Sequence, residues 1–224
     1  MTDDRHAGAK ADPPSERTTV RREDRAVYDR STIEAIVDEA LIAHVGFVSE
    51  TGSPIVIPML HARIGSELYL HGGHASRIMR TLRDGAEICV TVTLLDGLVL
   101  ARSAFNHSAN YRSVMIFGHP TVVEDLAERA AVLDAYTDKV VPGRREHLRP
   151  MTDKEVRATT IVSLPIEEAS AKVRAGGPVD DEGDLDLGIW AGALPLRGGF
   201  DEPVPDPLLA SDVTTPEHVR RLVR

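Results

Sequence analysis

The chain has 224 residues, which is enough for one well-buried domain but does not favour two full-sized ones. Its 26 basic and 35 acidic residues give a formal net charge of -9. This charge argues against a general surface for nucleic acid or anionic membranes, since both require positive charge. The single cysteine, Cys89, excludes an intrachain disulfide and a metal site built from several thiols.

No apolar run approaches the roughly 20 residues of a membrane span, and the polar first residues lack the apolar core of a signal peptide. We therefore expect a soluble, cytoplasmic protein. Residues 1–27 predict a disordered or loosely packed tail, because they are highly charged, contain two adjacent prolines and have no sustained apolar periodicity. The alternative is that the last part of this tail packs on the domain.

The next segments predict one helix and then several strands. A capping box, Ser31-Thr32-Ile33-Glu34, marks the expected start of an amphipathic helix. Three strand-like segments follow, AHVGFVSE, SPIVIPMLHARI and ELYLHG, and the short turns between them predict a three-stranded meander. Further on, AEICVTVTLL and LVLARSA flank Asp96-Gly97, which is a hairpin turn signal.

The segment YRSVMIFGHPTVVED predicts a long strand with a bend at Gly118 and Pro120. A helix from about Leu126 to Lys139 and a last strand, RATTIVSLPI, follow. About six strands with short helices between them favour a mainly β fold, an antiparallel barrel, over a doubly wound sheet. We assign residues 28–175 to this domain. Residues 176–224, which are loop-like apart from a helix predicted from Pro216, form a C-terminal extension that packs on the barrel or on a dimer partner.

The stretch YLHGGHASRIMRTL, from Tyr69 to Leu82, lies where a strand pattern gives way to a helical one. Glycines at such a turn let a ligand approach the backbone, and the turn as a whole suits a phosphate group. The alternative is an ordinary glycine-containing connection with a serine near a helix start and an arginine on the surface. The residues alone leave both interpretations open.

Other catalytic and binding patterns are missing. The histidines His61, His71 and His74 lack a partner at a recognised metal-ligand spacing, so we predict no metal site. No G-x-S-x-G sequence surrounds a serine, and neither of the two usual glycine-rich nucleotide motifs is present. Cys89 lies within an apolar strand, where a buried structural thiol is the common case.

Two further segments are unusual. An arginine and a serine lie at the start of the long strand, in the segment from Asn110 to Val114. Such residues are also typical of a strand end that is exposed to water. Trp190, the only tryptophan, lies in the glycine- and proline-rich extension. A lone tryptophan there could equally be a hydrophobic plug on the barrel.

Three blocks of the sequence together resemble the pyridoxamine 5′-phosphate oxidase-like flavoproteins of the FMN-binding split-barrel superfamily, most closely the branch with nitroimidazole-resistance reductases. The blocks are GFVSETGSPIVIPM, ELYLHGGHASRIMRTL and ICVTVTLLDGLVLARSAFNHSANYRSVMIFGHPTVVED, and the resemblance covers about residues 25–170. It implies a six-stranded antiparallel split β-barrel and a homodimer with two FMN sites at the subunit interface. It also implies flavin-dependent redox chemistry on a small-molecule substrate.

The resemblance also implies roles for individual residues around the flavin ring. Leu70 and His71 match the strand end that contacts the ring through its backbone. At the ring's edge, His71 is the candidate catalytic residue, for substrate contact or proton donation, because imidazole changes charge near neutral pH. A histidine that only stabilises the turn is the alternative. The strand expected to lie along the ring contains Val56, Ile57, Pro58 and Met59.

For the flavin phosphate, Ser76 and Arg77 match the family's Ser-Arg pair. Here the sequence departs from the true oxidases, because Ile78 follows Arg77 where they carry a lysine. Oxidation of pyridoxamine phosphate is therefore in doubt. Arg80 or Arg83, about one helical turn further on, could replace the missing cation.

On the other side of the flavin, the resemblance implies contacts from Tyr111, Arg112 and Ser113 across the dimer. Trp190 and Arg197 loosely match a tryptophan and an arginine in the tail of the true oxidases. The favoured function is an FMN-dependent oxidoreductase. The alternatives are a protein that binds flavin for storage or sensing without turnover, and a split barrel that holds haem or a deazaflavin instead.

Overall fold

The computed structural model describes residues 11–210 and 212–223. The described chain is mainly β, with ten strands and five short to medium α-helices. The strands are β1 (Ala26–Val27), β2 (Ile42–Val48), β3 (Pro54–Ile64), β4 (Glu67–Gly73), β5 (Ile88–Leu100), β6 (Ser108–Gly118), β7 (Thr121–Val122), β8 (Thr159–Pro165), β9 (Glu168–Arg174) and β10 (Gly192–Pro195). The helices are α1 (Arg30–Glu39), α2 (Arg77–Arg83), α3 (Leu126–Val140), α4 (Asp153–Ala158) and α5 (Glu217–Arg220).

All strand pairs are antiparallel, and the strands follow the order β1-β9-β6-β5-β2-β3-β4-β8-β7, with β10 added beside β5. The predicted fold class, an antiparallel split barrel, is confirmed, although there are more strands than the six expected. The bend expected in the long strand is also present. β6 ends at Gly118, and β7 then pairs with β8 instead of continuing beside β5 and β9. β9 follows the segment that we predicted to be the last strand.

The hairpin predicted at Asp96-Gly97 is wrong. β5 runs through these residues without turning, and its register with β6 shifts between Leu95 and Gly97, as at a bulge. At this end, β5 pairs with β6 on one side and with β10 on the other. Pairing with two neighbours outweighs the local turn preference of Asp96-Gly97. A Cβ atom on Gly97 would lie 2.6 Å from the carbonyl oxygen of Leu194, so β10 can approach only a glycine.

The first helix begins earlier than the capping box predicted. Asp29 is the N-cap, and its carboxylate accepts hydrogen bonds from the backbone N–H groups of Ser31 and Thr32. Two free N–H groups of the helix start are thus satisfied by one charged side chain, since each of its two oxygens accepts one bond. Ser31 instead donates its own hydroxyl to Asp29, at 2.8 Å.

One face of the sheet is buried and the other carries exposed apolar residues. The side chains of Val45 and Phe47 on β2 point into the core, where they join residues of α1 and α2 such as Val37 and Met79. On the outer face, Val56 keeps 64% of its surface exposed. The alternation follows from the two-residue period of a strand, and it leaves the outer face available for other contacts.

Residues just before β1 contact the sheet. Thr18 is fully buried, and the guanidinium of Arg17 lies 4.8 Å from the ring of Phe117 and forms ion pairs with Glu87 and Glu168. β1 itself pairs with β9. The division of the chain into tail, domain and extension stays a prediction, but the described end of the tail packs on the domain.

The C-terminal extension contacts the barrel at several points. Besides β10, the Arg102 guanidinium on the barrel pairs with Asp180 at 2.8 Å. Within the extension itself, Phe200 forms a bridge with Val223. Trp190 is 67% exposed, so it does not act as a hydrophobic plug within one chain. In the part of the chain that the structure describes, no helix is long and apolar enough to cross a membrane.

Candidate functional site

The turn between β4 and α2 is closely packed. Ser76 is the N-cap of α2, and its hydroxyl accepts a hydrogen bond from the N–H of Met79 at 3.3 Å. A Cβ atom on Gly72 would lie 2.8 Å from Cγ of Met79, so a glycine here lets the helix approach the strand. The Ser76 hydroxyl thus caps the helix as an acceptor, and its own proton is left to donate to a ligand. Its contact with a phosphate stays a prediction.

A groove of about 520 Å³ lies between α2 and the β2–β3 turn, and we call it the α2 groove. Arg77 and Arg80 line one wall, and both are exposed. Among the described residues neither guanidinium has an acidic partner within ion-pair distance, whereas most arginines of this chain do. The rest of the lining is Phe47, Ser49, Glu50, Thr51, Ser53, Ile55, Thr81 and Asp84.

The third arginine of α2 is engaged elsewhere. Nη1 of Arg83 lies 3.1 Å from Nε2 of His74, and Nδ1 of the same ring lies 3.2 Å from the hydroxyl of Thr160. An arginine can only donate, so Nε2 accepts from Arg83 and the Nδ1 proton of a neutral His74 points to Thr160. Of the two arginines proposed as a second phosphate contact, only Arg80 lines the α2 groove.

His71 lies near the end of β4, half-buried against α3. Its ring meets that of Tyr136 edge-on, with the centroids 4.2 Å apart. Its Nδ1 atom is buried and has no hydrogen-bond partner in the described chain. Burial lowers the pKa of His71, so the ring is neutral at neutral pH and one of its nitrogens can act as an electron-pair donor.

Four residues of β3 were predicted to lie along a flavin ring, and only two of them have exposed side chains. Val56 and Pro58 are exposed on the outer face, whereas Ile57 and Met59 pack against the core. Leu70 is fully buried, so only its backbone could reach a ligand. Alternation along a strand divides these predicted residues between two faces.

At the start of β6, the predicted contact residues are bound to their own chain. The Arg112 guanidinium donates to Glu39 at 2.8 Å and to Asp96 at 2.7 Å, and it lowers the pKa of both carboxyls. Ser113 donates to the backbone of Lys172 at 3.4 Å. The Tyr111 ring lies 5.8 Å from the Lys172 ammonium. Burial opposes ionisation of the phenol, but hydrogen bonds with Arg25 and Lys172 outweigh it and lower the pKa of Tyr111.

A second cavity, of about 740 Å³, lies where the C-terminal extension covers the end of α1, the start of β2 and the middle of β5. Both Arg112 and Arg197 line it, and Arg197 has no ion-pair partner among the described residues. The sequence did not suggest this cavity, because its walls come from segments more than 150 residues apart; residues 39–44 and 221–222 both contribute.

Within one chain, the predicted residues fall into separate places. Arg77 lies in the α2 groove, Arg112 lines the second cavity, and His71 and Trp190 line neither. Their assembly around one flavin across a dimer stays a prediction. Among residues 11–210 and 212–223, no three His, Cys, Asp or Glu side chains come together as metal ligands.

The model for the family described as pyridoxamine 5′-phosphate oxidase matches residues 29–173. No protein with a curated description matches the chain.

Among solved structures, the flavocytochrome Anf3 from Azotobacter vinelandii is 44% identical, with a TM-score of 0.88, over 95% of this chain and 99% of that one. A FAD- and haem-binding protein from Mycobacterium smegmatis is 37% identical, with a TM-score of 0.84, over 89% of this chain and 97% of that one. A Bacteroides thetaiotaomicron protein named for 5-nitroimidazole antibiotic resistance is 26% identical, with a TM-score of 0.57, over 66% and 86%.

Proposed function

Because the chain belongs to the pyridoxamine 5′-phosphate oxidase family, a family of flavin-binding proteins, we propose that it is a redox protein that holds both a flavin and a haem. The proposal is supported by similarity at 44% and 37% identity, over nearly the whole chain, to proteins named as a flavocytochrome and as FAD- and haem-binding. In such a protein the cofactors supply the electron transfer and the chain supplies position and electrostatics.

The observation that carries the flavin part is that Arg77 and Arg80, which line the α2 groove, have no acidic partner among the described residues. A phosphate bound to Arg77 would form charge-assisted, two-pronged hydrogen bonds without first displacing a carboxylate. The groove therefore fits a flavin phosphate. The sequence predicts FMN, whereas similarity to the Mycobacterium smegmatis protein favours FAD, and we propose FAD.

For the haem, His71 is the best-suited ligand among the histidines around β4. A metal requires a neutral imidazole with a free nitrogen, and burial keeps His71 neutral while none of its hydrogen-bonding capacity is used by described residues. His74 is held by Arg83 and Thr160, and Nε2 of the fully buried His61 lies 2.8 Å from Lys139. This role replaces the proton donation that the sequence suggested for His71.

The partner that we propose is a second copy of the chain, as the family resemblance implied. The outer face of the sheet carries exposed apolar side chains that a partner would cover; among them are Val48, Val56, Leu60 and Met115. If the flavin site is shared between two copies, flavin affinity falls when the protein is diluted below the dimer dissociation constant. A monomer that binds flavin tightly at every concentration would exclude a shared site.

The deciding experiment is the absorption spectrum of the purified full-length protein, with the mass of the cofactors that it releases. We expect flavin bands together with a Soret band. His71→Ala should remove the Soret band and keep the flavin, and His74→Ala is the matched control that should keep both. Flavin without haem would disprove the haem part and leave a flavin-dependent oxidoreductase, with FMN or FAD identified by the released mass. A colourless protein would disprove the proposal as a whole.

Turnover distinguishes a redox enzyme from a protein that only stores or senses flavin. After reduction with NAD(P)H or dithionite, a redox enzyme is reoxidised repeatedly by an acceptor such as a quinone, a nitroaromatic compound or oxygen. We expect repeated turnover. A single reoxidation without further consumption of the donor would favour storage.

A further inference from the structure

Two arginines face the α2 groove, although one phosphate needs only one. Arg77 and Arg80 are three residues apart on α2, so they lie on the same side of the helix about one turn from each other. A guanidinium can hold one phosphate with two hydrogen bonds by itself. The second arginine is thus free to hold a second phosphate further along the groove.

The opposite wall of the groove is built by the β2–β3 turn and presents hydroxyl groups. The hydroxyls of Ser49 and Thr51 lie 3.0 Å apart, and Ser49 also accepts from the N–H of Ser53 at 3.1 Å. These bonds hold the turn in one shape and leave lone pairs and protons that can bind sugar hydroxyls. A volume of about 520 Å³ is within the range of small-molecule sites and exceeds what a single phosphate requires.

The charges along the groove limit what it can bind. Glu50 and Asp84 also line the groove. The two arginines therefore attract anions only in their own vicinity, and the groove as a whole is not strongly positive. A terminal phosphate concentrates nearly two negative charges on one group. A diphosphate bridge places one charge on each of two phosphates, which matches two separate arginines better.

We propose that Arg80 is the residue by which the α2 groove selects a flavin dinucleotide over FMN. Arg77 holds the phosphate next to the riboflavin part, Arg80 holds the second phosphate, and the adenosine lies along the β2–β3 turn. This inference rests on the proposed function, since it requires that a flavin binds in the groove.

The test is the affinity of the full-length chain, freed of bound flavin, for FAD, FMN and riboflavin. Arg80→Gln should weaken FAD binding about ten- to a hundredfold, which corresponds to one lost charge-assisted contact, and should leave FMN binding almost unchanged. Arg77→Gln should weaken both FAD and FMN. Arg83→Gln, on the same helix but outside the groove, is the matched control and should weaken neither.

A second variant on the opposite wall keeps the test decisive if Arg80→Gln does not fold. Thr51→Trp should obstruct the adenosine part, and so weaken FAD binding without weakening FMN binding. Equal losses for FAD and FMN, or no loss for either, would overturn the role of Arg80. If the wild-type chain binds neither FAD nor FMN, the proposed function itself fails.

Discussion

Arg77 and Arg112 were both predicted to contact a flavin, and the structure gives their side chains different surroundings. Arg77 is exposed in the α2 groove and has no acidic partner among the described residues. Arg112 is held by two carboxylates, those of Glu39 and Asp96. A ligand phosphate at Arg112 would have to displace one of these carboxylates, whereas at Arg77 it displaces only water.

This difference shows that the local sequence around an arginine does not reveal whether its charge is available. Glu39 is 73 residues from Arg112 along the chain, and Asp96 is 16 residues away on the neighbouring strand. The partners are brought in by the pairing of β5 with β6 and by the packing of α1. We therefore expect unpaired arginines to affect ligand binding and paired arginines to affect stability.

The largest effect is expected for Arg77→Ala. Losing one charge-assisted contact of about 1.5–3 kcal/mol weakens binding of the phosphorylated flavin about ten- to a hundredfold. Riboflavin, which lacks the phosphate, is the control ligand and should bind with nearly unchanged affinity. Equal losses for riboflavin would mean that Arg77 shapes the fold or contacts the ring.

For Arg112→Gln, we expect a lower stability and an unchanged flavin affinity. The guanidinium and its two carboxylates are partly exposed, so the loss in free energy of unfolding is about 1 kcal/mol. The melting temperature should fall by about 2–4 °C in a chain of this size. A loss of flavin affinity as large as that of Arg77→Ala, without thermal destabilisation, would contradict the distinction between paired and unpaired arginines.

The same ion pairs should respond to acid in a defined range. The pKa values of Glu39 and Asp96 are lowered in the folded protein, chiefly by hydrogen bonds from Arg112. Their stabilisation is therefore complete above the ordinary carboxyl pKa values and is lost as the pH falls through the lowered ones. The difference in melting temperature between wild type and Arg112→Gln should be constant from neutral pH to about pH 5 and shrink below pH 4. A difference that shrinks already near pH 6 would point to a histidine instead.

A smaller effect is expected for Arg17→Gln. Arg17 pairs with Glu87 and Glu168 at an exposed position, where solvent screens the charges. The variant should melt slightly below wild type and bind flavin equally well. Among the described residues, Arg22 pairs with the exposed Asp24 two residues away, so Arg22→Gln offers a control that should leave the melting temperature unchanged. Reduced flavin occupancy in Arg17→Gln would show that the tail also reaches the cofactor.

Features set by neighbouring residues were predictable from the sequence. The strand-to-helix turn with Ser76 at the start of α2, the long helix near residues 126–140 and the bend after β6 are all present. Each depends on a local property, such as a helix cap, apolar periodicity or a glycine. The antiparallel barrel followed from the closeness of the strands along the chain.

Features that depend on distant segments could not be predicted in this way. Asp96-Gly97 has the composition of a turn, but β6 and β10 keep it extended. The cap of α1 is Asp29 because a carboxylate satisfies two N–H groups, which the capping-box pattern does not consider. The second cavity requires the C-terminal extension to fold back over the barrel, and its loop-like sequence gives no sign of where it packs.

The contact of Gly97 with Leu194 has a consequence for how this protein can change during evolution. A single added methyl group at position 97 would collide with the backbone of β10, because the nearest oxygen lies 2.6 Å from the place of that methyl. The residues that follow β10 form a wall of the second cavity. One base change in a glycine codon can therefore displace β10 and reshape a cavity while the barrel core keeps its packing. Evolution of the extension therefore depends on keeping a glycine at position 97 of the barrel.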